Sequence, residues 1–376
     1  MLDVLRSGNW WQSGRGAAER LERELATYCE VTCAVAVSSG TSGLELALEA
    51  LGIKHGDEVL VPALTFVSSA SAVCRVGAVP VAVDVLPDTL TIDVGDARAK
   101  LTARTRAIMP VHLAGQPAQM DEVMELAEQH GLKVIEDSAQ AIGARWGGRR
   151  CGSFGDVAVI SFQAAKLLPG GEGGAVLGRD PELLAHVALL ANCGRPRGSC
   201  RYDHSVMGTN ARIGELQAAI VLAQLSDLES IAARRERALE RLRAAVARSR
   251  WWMQARPAKV SAHGCYMVLL AASRIHEPAP PAAWLAAALT AEGIPARGIY
   301  PPFYRTAAFH SFGGHRGGQS CPVAERAQRC VVWLHHQTLL DGVAGVEDVV
   351  NAIKKVDAAL GDSHMGRSVQ ADRWRR

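Results

Sequence analysis

VAVISFQAAKLLPGGEGGAVLG, residues 157–178, sets two short apolar runs on either side of one lysine and a cluster of glycines. The flanks VAVIS (157–161) and GAVLG (174–178) read as buried strands, because they are short, apolar and bounded by turn-forming residues. A lysine held between them is costly to desolvate unless it is paired or neutralised. Lys166 has an ordinary reading too, in which its stem lies along apolar surface and its amine reaches solvent from a loop. The rest of the chain decides between them.

Outward from this stretch, residues 34–180 alternate strand-like and helical runs. AVAVSS is followed by helical TSGLELALEAL, and DEVLVPAL by FVSSASAVCRVG. VPVAVDV, RAIMPVHL, helical MDEVMELAEQHG, KVIEDSA, DVAVISF and GAVLG follow. Nearly continuous Val/Ile/Ala strands separated by helices predict an α/β fold with a mainly parallel sheet covered on both faces. Ligands in such sheets sit outside the carboxyl ends of the strands. From 209 to 247 the pattern turns helical, with an apolar stripe through Ile213, Leu216, Ile220, Leu225 and Leu228. Residues 251–360 predict a second, smaller α/β unit containing the strand HGCYMVLLAA and the helix PAAWLAAALTAEG. The expected division is a large domain over 1–245, a small domain over 246–360, and a frayed polar tail over 361–376.

The chain has 376 residues, 48% of them hydrophobic and 21% charged, as expected for a globular protein of this length. A net charge of +3 gives no reason to expect nucleic acid as a partner. Nine scattered cysteines form no CxxC pair, which fits a reducing compartment better than a disulfide framework. The opening MLDVLRSGNWWQSG lacks the pattern of a signal peptide, and no apolar run reaches transmembrane length. The expectation is a cytoplasmic chain without a membrane partner or a metal site.

Four features fall at the ends of predicted strands. SSGTSG (38–43) lies between a strand and a helix, where small residues let backbone N–H groups approach an anion, or where Thr41 or Ser42 simply caps the helix. In VIEDSAQ (134–140), Asp137 ends a buried strand and needs a partner such as a protonated ring nitrogen, unless it is a helix cap. Lys166, held partly dry, has a depressed pKa and attacks carbonyls. Phe66 in LTFVSS is either a core aromatic or a ring that stacks on a flat cofactor. One molecule accounts for all four: pyridoxal phosphate needs a lysine for its aldehyde, an acid for its ring nitrogen, a phosphate cup and a stacking surface.

The segments SSGTSGLELAL, VLVPALTFVSSASAV, PVHLAGQPAQMD, VIEDSAQAIGA, GDVAVISFQAAKLLPGGEGGAV and NARIGELQAA resemble the DegT/DnrJ/StrS family of pyridoxal-phosphate aminotransferases, over roughly residues 5–356. The resemblance implies the fold-type I, aspartate aminotransferase-like architecture and a homodimer with composite active sites. Lys166 then matches the Schiff-base lysine and Asp137 the partner of the ring nitrogen. Gln140 stands where the family places His or Gln near the ring, and Phe66 matches the stacking aromatic. Gly40, Thr41 and Ser161 match phosphate contacts, and Asn210 matches the asparagine that reaches the partner subunit's phosphate.

GNWW, NCGRPR, RYDH, YMVLL, IYPPFYRTAAF and VVWLHHQTLL are similar to 3-amino-5-hydroxybenzoate synthases and to glutamine-dependent scyllo-inosose aminotransferases. WLHH leans toward the first group and CPVAER toward the second, and Gln140 departs from the histidine of the benzoate synthases. The resemblance implies an enzyme of secondary metabolism that moves an amino group from glutamine or glutamate to a six-membered-ring ketone. The alternatives are a synthase that dehydrates and aromatises an aminated cyclohexenone, a nucleotide-sugar aminotransferase, and a pyridoxal-phosphate-binding protein without turnover. A nucleotide-binding oxidoreductase is disfavoured, because the first strand-to-helix turn lacks GxGxxG. Tyr202, His204, Tyr304, His335 and His336 are candidate substrate contacts, although a WLHH run also packs or hydrogen-bonds locally. Arg195 and Arg212 are candidates for holding a carboxylate, or surface residues.

Overall fold

The computed structural model describes residues 1–12, 16–198, 202–275, 277–312, 320–340 and 342–362. The tail expected to fray therefore falls, from residue 363, outside the described residues.

Seven strands form the principal sheet: β1 (Cys33–Val37), β2 (Glu58–Pro62), β3 (Val79–Val83), β4 (Thr105–Ile108), β5 (Lys133–Asp137), β6 (Val157–Ser161) and β7 (Gly174–Gly178). Their order is β1-β7-β6-β5-β4-β2-β3. The pairings among β2, β3, β4, β5 and β6 are parallel. Only β7 runs against its neighbours, with Ser161 opposite Gly174 and Val37 also opposite Gly174. The chain returns from β6 to β7 through the lysine loop with no crossover helix, so an antiparallel pairing is the one it can make. The glycines of that loop have a steric cause. A side chain on Gly174 would meet the backbone nitrogen of Gly40 at 2.7 Å, and Gly171 has a φ of 88°.

Helices cover both faces, and the strand side chains between them are almost wholly buried, including Val59, Leu60, Val61, Ile135, Val159 and Val176. Helix Ala17–Tyr28 starts on Glu215, whose carboxylate accepts from the Ala17 and Ala18 N–H groups and so satisfies donors the helix leaves free. Helix Gly40–Ala50 is capped by Ser39, which accepts from Ser42 N–H at 3.0 Å.

The smaller unit is built on an antiparallel sheet in the order Trp252–Met253, Met267–Ala271, Val332–His335, Ala296–Gly298. Its core does not begin at residue 246. In helix Leu228–Val246, Leu228 packs into the large core, while Ala238, Leu239, Leu242 and Val246 pack with Val268, Leu270 and Val349 of the small unit. The expected division at 245 thus falls at the far end of a helix that already serves both units. Its Arg/Glu-rich outer face hid that inner stripe from the sequence pattern. No single helix among the described residues is long and apolar enough to cross a membrane.

Candidate active site

A cavity of about 410 Å3 opens at the carboxyl ends of β1, β5 and β6, between the two units. The large unit lines it with Gly40, Thr41, Phe66, Asp137, Gln140, Ser161 and Lys166. The structure therefore brings together seven of the residues singled out from the sequence, drawn from positions 40 to 166. The loops that follow β1, β2, β5 and β6 deliver them to one place because parallel strands end on the same edge of the sheet.

Asp137 ends β5 and is 6% exposed. Its Oδ2 accepts from Ser69 Oγ at 2.6 Å and its Oδ1 from Ala139 N–H at 3.1 Å, so donors hold both carboxylate oxygens in place. Ser69 in turn shares a 2.8 Å hydrogen bond with Thr65. Lys166 sits on an irregular turn closed by its own N–H donating to Gln163 O at 2.8 Å. Its Nζ lies 4.4 Å from the centre of the Tyr266 ring. Burial pushes the Lys166 amine down to about 8, against the opposing pull of the Asp137 charge. Some one amine in ten is then neutral at pH 7, where an ordinary lysine would have far fewer than one in a thousand.

At the other end of the cavity, the first turn of helix Gly40–Ala50 presents Gly40 and Thr41. Thr41 Oγ1 and Ser68 Oγ are 2.7 Å apart, and Ser161 lies against Gly40, where an added Cβ would meet Ser161 Cβ at 3.0 Å. Free N–H groups, small residues and hydroxyls make this end suited to an anion. Phe66 is 50% exposed at the mouth, its ring edge-on to Tyr300 at 6.0 Å.

Gln140 is fixed by its Oε1, which accepts from Ala114 N–H at 2.7 Å. Ala114 adopts a left-handed φ of 62°, a conformation that costs a non-glycine residue about 1 kcal/mol or more. The Ala114 carbonyl also accepts from Tyr266 N–H at 3.0 Å, so one strained turn anchors both Gln140 and Tyr266.

The small unit supplies Tyr266, Met267, Tyr300 and Trp333. None of these was singled out from the sequence, although the segments YMVLL and IYPPFY were noted. Their positions depend on how a second sheet docks, which no local pattern reports. Ser68, Gln163 and Glu172 also line the cavity.

The other sequence candidates lie elsewhere. Tyr304 is buried, with its hydroxyl donating to Glu325 at 2.6 Å and accepting from Cys321 N–H at 3.0 Å. Its hydroxyl is committed to these two partners rather than to the cavity. Tyr202 is 85% exposed with the Arg195 guanidinium 5.3 Å from its ring, and His204 donates to Cys193 O at 2.6 Å on the same exposed segment. Arg212 donates to Asn192 Oδ1 at 3.0 Å, and Asn210 is exposed beside it. His335 and His336 stack on one another at 4.1 Å behind Tyr266 and do not line the cavity.

Set beside known proteins, residues 1–354 match the DegT/DnrJ/EryC1/StrS aminotransferase family. The chain belongs to this family of pyridoxal-phosphate-dependent aminotransferases. It is 38% identical over 352 residues to the 3-amino-5-hydroxybenzoate synthase of Amycolatopsis mediterranei, covering 91% of this chain and 90% of that one. It is 36% identical over 381 residues to an L-glutamine:2-deoxy-scyllo-inosose aminotransferase of Streptomyces kanamyceticus, covering 94% and 89%. Among solved structures, a 3-amino-5-hydroxybenzoic acid synthase superposes with a TM-score of 0.90 at 34% identity over 95% of each chain.

Proposed function

We propose that this chain binds pyridoxal phosphate in the cavity and transfers an amino group from glutamine or glutamate to a six-membered-ring ketone. The observation that carries this reading is the convergence of a depressed-pKa lysine, a doubly anchored carboxylate and a helix N-terminus on one cavity. The donor set fits the cofactor: an amine for its aldehyde, a carboxylate for its ring nitrogen, and an anion site for its phosphate. Gly40, Thr41, Ser68 and Ser161 would hold the phosphate, Asp137 the ring nitrogen and Phe66 one ring face. When bound, the cofactor supplies an electron sink for a carbon that loses a proton.

The protein's part is positioning and proton transfer. Lys166 Nζ, neutral in a usable fraction at pH 7, takes the proton from the α-carbon of the amino donor and returns it later as general acid. Ser69 and Ala139 keep Asp137 aimed, and that fixed negative charge holds a positive nitrogen opposite. Tyr266, Tyr300, Trp333 and Phe66 shield the site from water and offer flat surfaces to a ring.

A second reading, an aromatising 3-amino-5-hydroxybenzoate synthase, is favoured by the identity and superposition with proteins of that name. Both readings use the same lysine. The test is to load the protein with pyridoxal phosphate and follow its visible absorbance on adding glutamine. A change with glutamine, and an aminated ring formed from a keto-cyclitol, supports amino transfer. An unchanged spectrum with glutamine, together with aromatisation of an aminated cyclohexenone carboxylate, supports the second reading. Neither result would overturn both.

A further inference from the structure

His336 was a candidate substrate contact that the sequence equally allowed to hydrogen-bond locally, and its place in the structure is the local one, with a task of its own. It begins the short turn His336–Leu339 after strand Val332–His335 of the small unit. It is buried, and its Nε2 lies 3.2 Å from the carbonyl oxygen of Ala165, the residue before Lys166. A carbonyl only accepts, so Nε2 carries the proton and Nδ1 does not. Nδ1 is itself buried with no partner. Burial, the Arg235 charge and the neighbouring His335 all disfavour the cation, so the ring stays neutral. Its face lies 6.0 Å from the Tyr266 ring, the same ring that backs Lys166 Nζ. The imidazole thus touches the lysine loop at the Ala165 carbonyl and lies beside the small-unit ring that backs the lysine amine.

A buried ring nitrogen without a partner is destabilising, a penalty that an apolar side chain of similar bulk would avoid. Stability alone therefore gives a poor account of a histidine here. We propose that His336 is a positioning residue for Lys166: its Nε2–H grips the Ala165 carbonyl and ties the direction of the lysine amine to the small unit. Gln163 also holds the turn around Lys166: its carbonyl accepts from Lys166 N–H and its Oε1 accepts from Ala165 N–H. A misplacement of about 1 Å at a reacting group costs on the order of a hundredfold in rate.

The inference rests on the proposed role of Lys166, so Lys166→Ala is measured alongside. His336→Met keeps the bulk and removes the donor, and His336→Gln keeps a donor that reaches Ala165. In the cofactor-loaded enzyme, His336→Met should lower kcat by about ten- to a hundredfold with KM for the amino donor changed less than threefold, and His336→Gln should restore most of it. In cofactor-free protein, the rate at which an amine-selective reagent labels Lys166, read by peptide mass, should change at least threefold in His336→Met and return toward wild type in His336→Gln. If His336→Met does not fold, His336→Asn, whose amide falls short of Ala165, should show the same losses. Wild-type kcat and labelling in His336→Met, or an equal loss in His336→Gln, overturns the inference alone. Full turnover in Lys166→Ala overturns the reading of function, and the inference with it.

Discussion

Lys166→Met should stabilise the cofactor-free protein at neutral pH while abolishing its chemistry. In the folded chain the amine is pushed from 10.5 down to about 8, mainly by burial. That fall corresponds to about 3 kcal/mol spent on holding a charged lysine in the site. Below pH 8 the lysine is protonated in both folded and unfolded chains, and the folded state bears the full cost. Between pH 8 and 10.5 the folded lysine has lost its proton and the unfolded one has kept it, so stability rises with pH. Above 10.5 both are neutral and the cost is gone. Methionine has similar length and no charge, so the variant should gain about 1–3 kcal/mol at pH 7 once partial solvent access is allowed for. The gain should shrink steadily from pH 8 to pH 10. Urea unfolding at fixed protein concentration, at pH 7 and pH 10, measures it. A variant less stable than wild type at pH 7, or a gain identical at both pH values, would refute the reasoning.

Other residues give sharper single tests. Ser69→Ala removes a 2.6 Å donor from Asp137 and should cut kcat/KM by about tenfold or more, with partial recovery in Ser69→Thr; steady-state kinetics decides this. Tyr304→Phe should lower stability by about 1–3 kcal/mol, because the buried Cys321 N–H loses its acceptor and Glu325 keeps only Arg305, yet leave KM for the ring substrate unchanged; a KM effect without a stability loss would return Tyr304 to the substrate. Glu215→Ala frees the first N–H groups of helix Ala17–Tyr28 and should cost about 1–2 kcal/mol in chemical denaturation.

The cavity's large-unit wall was legible in the sequence because its residues end a strand, follow it in the next loop, or open a helix. SSGTSG, VIEDSAQ and SFQAAK are punctuation between runs of clear period, and parallel strands place such punctuation on one edge. The opposite wall was not legible. Tyr266 precedes strand Met267–Ala271 and Tyr300 follows strand Ala296–Gly298, and both reach the cavity only because a second sheet docks there. Tyr304 and the His335–His336 pair show the converse error. Polar side chains near strand ends invite a functional reading, yet the Tyr304 hydroxyl is consumed by Glu325, and His336 turns from the cavity toward Ala165. The antiparallel β7 was equally hidden, since a buried strand carries no mark of its direction. The left-handed turn at Ala114, which anchors Gln140 and Tyr266 together, has no glycine to announce it.

The central claim is that Lys166 is the residue that joins the cofactor, and one measurement addresses it directly. The protein is incubated with pyridoxal phosphate, reduced with borohydride to make any lysine linkage permanent, digested, and mapped by mass spectrometry. The account predicts a single added cofactor mass on the peptide containing Lys166, and none in Lys166→Ala. A label on another lysine, or no label on any, would contradict it.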